Sequence, residues 1–226
     1  MIRWELVDSA HVPGGGGGEL FLYRRGAEYS IRLGNGELMN SRVHGSEDAL
    51  AELACARIAS RTCPHFLIGG LGMGFTLAAA LRLLGSGASV AVAELVPSVV
   101  QWNRGPLSHL AGHPLDDVRV TVYETDVAQM LKVRGCAYDA VLLDVDNGPE
   151  GFTRQRNEWL YTPEGLAASF EALRPGGVLA IWSAGPDSSF TRRLRRAGFD
   201  TEEVRVHARG KRSGGHHTIW LAVRRP

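Results

Sequence analysis

Cysteine is scarce in this chain, and its three residues, Cys55, Cys63 and Cys136, are too scattered for a disulfide framework or a metal knuckle. Long apolar runs are missing as well. No stretch approaches the ~18 residues of a membrane span, and no basic segment leading into an apolar one opens the chain. A cytoplasmic protein without membrane contact is therefore expected. Charge of one sign is also lacking: 25 Lys and Arg against 24 Asp and Glu leave a formal net charge of +1. That balance makes no electrostatic case for nucleic acid as the main partner. The arginines between Arg192 and Arg196, and those around Lys211, read as a solvated helix face and loop. No Walker lysine and no serine in a nucleophile elbow is found. His44, His65, His109, His113, His207, His216 and His217 have no metal-ligand spacing beside acids, so no metal is expected.

What is present is ordinary for a globular protein: 44% hydrophobic and 22% charged residues in a chain of 226. That length suits one large domain with a small appendage. The most informative stretch is His65 to Leu84. The apolar run Phe66 to Ile68 breaks into Gly69, Gly70, Gly72 and Gly74, and an Ala/Leu-rich helical segment follows. Strand, glycine loop and helix N-terminus let a backbone approach a ligand closely and offer it free N–H groups. Gly70, Gly72 and Gly74 are the expected contacts. A second strand, Val90 to Glu94, ends in an acid about 20 residues after the loop, the spacing that sets a carboxylate beside a ribose. NAD fits less well, because the third glycine comes early for G-x-G-x-x-G and no second half-site is evident.

In chain order, residues 1–45 read as a small β-meander. Its strands include Glu19 to Arg24 and Tyr29 to Leu33, with a turn at Gly34-Asn-Gly36. Gly14 to Gly18 is a flexible connection, since no helix follows it. Residues 46–226 form the expected second unit, opening with a helix from Ser46 to Ile58 and Ser46 as its N-cap. Strands and helices then alternate, which predicts a parallel sheet with helices on both faces. Its later members are Val118 to Tyr123, Tyr138 to Asp144, and Val178 to Trp182 after a helix from Pro163 that stops at Pro175-Gly-Gly177. A helix from Phe190 to Ala197 and an antiparallel hairpin, Glu203 to His207 with Thr218 to Val223, close the chain. Ligands of such sheets bind beyond the strand ends, where Glu94, Asp126 and Asp144 stand. Asp126 precedes a helix, so it can cap that helix and also accept from an exocyclic amine. Asp144 follows an apolar strand, where it can take a proton from an amine or pair with a cation.

These residues resemble a known family. Gly69 to Gly74, Glu94, Asp126 and Tyr138-Asp-Ala-Val-Leu-Leu-Asp144 look like the spermidine synthase group (polyamine aminopropyltransferases) within the class I S-adenosylmethionine-dependent transferases. The meander, Glu37 to Ala51 and Leu173 to Leu179 fit the same layout, so the likeness covers nearly the whole chain. It implies an α/β, Rossmann-like fold of seven strands with a small N-terminal β-rich region. It also implies S-adenosylmethionine or decarboxylated S-adenosylmethionine as cofactor, with Glu94 on the ribose and Asp126 on the adenine amine. Asp144 is then the catalytic acid that orients and deprotonates a small-molecule amine. Asp146, Asn147, Tyr161 and Glu47 are candidate substrate contacts, and a homodimer is possible by the same likeness. The departures lie at the amine end. The family's glycine loop holds an Asp where Gly72 stands, and its Tyr and His around the helix Glu are Gly45 and Ala51 here. Three functions stay open: aminopropyl-type transfer to an amine other than putrescine, methyl transfer to a small molecule, and a non-catalytic nucleoside-binding module.

Overall fold

The computed structural model describes residues 2–13, 18–133, 135, 137–145, 158–208 and 215–225. Strands β1 (Glu5–His11), β2 (Glu19–Arg25), β3 (Glu28–Leu33) and β4 (Gly36–Asn40) form an antiparallel sheet in that order. The expected turn at Gly34 joins β3 to β4, with Gly34 at a left-handed φ of 55°. Period-two alternation sends Leu20, Leu22 and Ile31 inward, and Arg32 lies over the Trp4 and Tyr23 rings on the other face. The inward residues do not close a core of their own. They join one apolar cluster with Leu50, Phe66, Met73 and Val100 of the rest of the chain.

Helix α1 (Gly45–Arg57) starts earlier than the sequence predicts, with His44 rather than Ser46 at its N-cap. The reason is tertiary. The Gly45 N–H donates to Ala208 O, and the Ser46 hydroxyl is engaged by Glu47 and His217 instead of the helix start. Leu50, Ala51 and Ala54 bury one stripe of α1, and Glu47 sits on that same stripe.

The second sheet holds β5 (His65–Gly69), β6 (Ser89–Glu94), β7 (Val120–Glu124), β8 (Tyr138–Leu143), β9 (Leu173–Ser183), β10 (Phe199–His207) and β11 (His216–Arg224). Their order is β10-β11-β9-β8-β5-β6-β7, parallel except that β11 runs against both neighbours. The expectation of seven mostly parallel strands with an antiparallel closing hairpin holds, the last strand lying between β9 and β10. Strand β9 begins at Leu173, ahead of the expected Val178. Pro175-Gly-Gly177 forms an irregularity inside it, where pairing jumps from Tyr138↔Leu173 to Ala140↔Val178. Likewise β7 starts at Val120, and Val118 is fully exposed.

Alternation along the strands divides the core in two. Phe66, Ile68, Val90, Val92 and Leu142 face α1, α2 (Phe75–Leu83), α3 (Pro97–Arg104) and the N-terminal sheet. Leu67, Val141, Leu143 and Ile181 face α4 (Val127–Lys132), α5 (Pro163–Ala172) and α6 (Ser188–Arg196). Because β5 is flanked by β6 on one side and β8 on the other, the strand order reverses between β5 and β8. That reversal opens a crevice at their carboxyl ends.

Candidate active site

The glycine loop leaves β5 beside the end of β8. Asp144 N–H donates to Gly69 O at 3.0 Å, and Gly70 N–H donates to Ala93 O at 2.9 Å. Gly70 has φ of 86°, and a Cβ there would lie 2.5 Å from the Asp144 carbonyl oxygen. A side chain is excluded at that point by both conformation and space. Gly72, at φ 53°, is covered by Met39 of β4, whose Cε would be 2.8 Å from an added Cβ. Gly74 stands at the start of α2 and does not line the cavity. Asn103 of α3 holds this segment by donating to Gly72 O at 2.8 Å and to Val99 O at 2.9 Å.

Over the loop lies a cavity of about 190 Å³. Its floor is the loop and the ends of β6 and β8; Val12, Leu20, Ile31, Leu33, Leu38 and Met39 of the N-terminal sheet line it as well. Among the described residues, four carboxylates line it (Glu47, Glu94, Asp126 and Asp144) and no Lys, Arg or His does. Such a wall attracts cations and repels anions.

Glu94 is 7% exposed and ends β6. Its Oε2 accepts from Leu71 N–H at 2.8 Å and its Oε1 from Val96 N–H at 2.8 Å. It therefore ties the glycine loop to β6, and a carboxylate oxygen can accept more than one hydrogen bond. Asp126 caps α4, accepting from Ala128 N–H at 2.8 Å, and also borders the cavity. The double duty read from its position is geometrically open. Asp144 accepts from the Thr76 hydroxyl at 2.7 Å, from the first turn of α2. Glu47 is 8% exposed; burial first, and then the Asp144 charge, push its carboxyl up to about 7. Ser46 Oγ donates to Glu47 Oε2 at 2.7 Å and lies 2.9 Å from His217 Nδ1.

Two of the expected substrate contacts, Asp146 and Asn147, lie outside the described residues. Tyr161 is brought elsewhere: its ring packs edge-on to Phe190 at 5.5 Å in the core below the other face of the sheet, away from the cavity lining. An aromatic residue in an apolar context reads equally as core, and here core packing claims it. Sequence reasoning missed Thr76, Trp182, Asn103, Met39 and the Ser46–His217 contact. Trp182 lines the cavity, and its buried indole N–H has no hydrogen-bond partner among the described residues. Only the Thr next to the glycine loop carried any local signal; the others meet across many tens of residues.

The donor set suits an adenosyl group. A close-approach glycine backbone lies beside a buried acid at ribose spacing, and a second acid stands beyond it. The topology is that of the Rossmann-like class I methyltransferase fold, in its spermidine synthase-like form with an N-terminal sheet. Comparison with known proteins agrees on the fold. No family model matches the chain. A polyamine aminopropyltransferase of Mycobacterium tuberculosis is 28% identical over 198 residues, 84% of this chain. One of Mycobacterium bovis matches equally. The chain spans only 36% of the length of these curated relatives. Among solved structures, spermidine synthase from Thermotoga maritima superposes with a TM-score of 0.77 at 17% identity, covering 99% of this chain and 74% of that one. A spermidine synthase in complex with the transition-state analogue AdoDATO superposes at 0.76 and 17% identity. The chain is thus similar to the spermidine synthase group, by sequence to its aminopropyltransferases and by fold to its solved members.

Proposed function

We propose that the protein is a spermidine synthase-like transferase that passes an aminopropyl-type group from decarboxylated S-adenosylmethionine to a small amine. One observation carries the reading: a single cavity with the ribose-spaced Glu94 at the glycine loop, and the buried Glu47 and half-buried Asp144 beside it, with no basic residue among the described lining. The bound donor supplies a carbon made electrophilic by its sulfonium. Glu94 and Asp126 hold the nucleoside, and the loop backbone lets it lie against the sheet. Asp144, aimed by Thr76 from a strand end, orients the acceptor amine and, together with Glu47, receives its proton. Catalysis then consists largely of positioning two cations that water would keep apart.

Methyl transfer from S-adenosylmethionine is the second reading. It is favoured by Gly72, where Met39 fills the space an acidic side chain would take, so the loop offers the donor's chain no carboxylate. Incubation with each donor and a panel of amines separates the readings. Methylthioadenosine as product identifies aminopropyl transfer and S-adenosylhomocysteine identifies methyl transfer. Neither product, with retained adenosyl binding in calorimetry, identifies a binding module. The proposal also covers a cytoplasmic location and a homodimer, which fractionation and light scattering test.

A further inference from the structure

We propose that Glu47, Ser46 and His217 form a relay that carries the acceptor's proton from the cavity out to the start of β11. It rests on the amine-transfer reading for its purpose, though not for its existence. Glu47 borders the cavity while sitting on the otherwise apolar stripe of α1. Ser46, 1% exposed, is placed between it and an imidazole, with 2.7 Å to Glu47 Oε2 and 2.9 Å to His217 Nδ1. His217 is half-buried against the Trp182 ring at 4.7 Å, and its neighbour His216 is exposed on the same strand. Satisfying a buried carboxylate requires only the serine. The third member, reached from 171 residues away, turns a capped acid into a chain with a half-buried end.

A hydroxyl both donates and accepts, so its two hydrogen bonds can reverse together. An acceptor ammonium must shed one proton to expose its lone pair. That proton moves to the Glu47 carboxylate, which becomes a carboxylic acid. The acid then donates to Ser46 Oγ, and the serine's own proton passes to His217 Nδ1. The imidazolium releases its Nε2 proton to solvent; exchange of the remaining proton from Nδ1 to Nε2 through solvent, with the serine hydroxyl turning back to Glu47, restores the starting state. As the amine attacks, its lone pair forms the new C–N bond while the C–S pair passes to sulfur, so the charges balance.

Other charged groups surround the chain. Asp144 faces Glu47 from the end of β8 and raises its carboxyl, and His44 on the same helix opposes that. Asp48 on the outer side of α1 is paired with His44 and Arg82. Desolvation first, and then Arg205 and His207 of β10, hold His216 below the ordinary imidazole range, and burial holds His217 below it.

The test is a pH titration of the full chain without ligand, following the Glu47 carboxyl carbon and the His217 ring by NMR. In the wild type the two share a titration step. Ser46→Ala is expected to abolish that shared step in both resonances, and Ser46→Thr, which keeps the hydroxyl, to restore it. Charge coupling through space would survive Ser46→Ala, which leaves both charges in place; that result overturns the relay. If Ser46→Ala does not fold, Ser46→Gly, which also lacks the hydroxyl, decides in the same way: loss of the shared step supports the relay, and its persistence overturns it. Absence of transfer with every amine would remove the amine-transfer reading and leave this titration untouched, so the two failures are distinguishable.

Discussion

Glu94 carries two loads, and their separation can be measured. Its oxygens hold the N–H groups of Leu71 and Val96, so Glu94→Ala leaves two amides without partners as well as removing the proposed ribose acceptor. Methylthioadenosine affinity in calorimetry is expected to fall by about 1–3 kcal/mol, roughly 10- to 100-fold, with a drop in Tm alongside. Asp144→Asn keeps the size and the Thr76 contact but loses the charge. Nucleoside binding should stay within a few-fold while turnover falls by ~10²–10⁴ in the product assay. Normal turnover with lowered stability would make Asp144 only a turn former. Glu47 predicts a pH effect of the opposite kind from that of a paired acid. Its folded-state carboxyl is raised to about 7, so the native chain holds a proton that the unfolded chain has released. Stability from this group is full below the ordinary glutamate range and declines as pH rises towards 7, by an amount on the order of 1–3 kcal/mol. Glu47→Gln should flatten that decline in denaturant titrations at pH 5 and pH 8 and be the more stable protein at pH 8.

At the scale of elements, the N-terminal sheet and the glycine loop constrain each other through Met39 and Gly72. Placing a side chain on Gly72 meets Met39 and a left-handed φ at once. Asp tolerates that region better than most residues, and Met39 is flexible, so the cost of Gly72→Asp is set at about 1–2 kcal/mol. Thermal denaturation should show Met39→Ala recovering part of it, the part due to the clash. If the double variant also binds decarboxylated S-adenosylmethionine more tightly than the wild type, the missing loop acid is what weakens the donor's grip. Unchanged affinity would mean that Gly72 has no bearing on donor choice.

For the whole molecule, the N-terminal sheet completes the main core as well as lining the cavity. Leu20, Leu22, Tyr29 and Ile31 are buried in one cluster with α1, α2 and α3. A chain beginning at residue 44 would expose these helices' packing surface and open the cavity. It is expected to bind a hydrophobic dye, to be cleaved readily by protease and to lose adenosyl binding. Retention of a sharp thermal transition by that fragment would contradict the shared core.

The sequence by itself determined the alternation of strand and helix, the glycine loop and the acids at the strand ends. Each of these is local: apolar runs bounded by turns, glycines where φ is positive, and carboxylates that follow an apolar strand. It also carried the antiparallel closing hairpin. Tertiary structure alone decided which acids face one another. Glu47 was a candidate substrate contact by resemblance, and only the packing of α1 against α2 and β9 brings it to Asp144. The start of α1, the insertion of β11 between β9 and β10, Met39 over Gly72 and the Ser46–His217 contact depend on the same long-range packing. A one-dimensional pattern records which face of an element is apolar; it does not record what that face meets. For that reason the glycine loop and the strand-end acids, built from contiguous motifs, were legible in the residues, whereas the contacts that join α1, α2, β8, β9 and β11 around Glu47 and Asp144 were not.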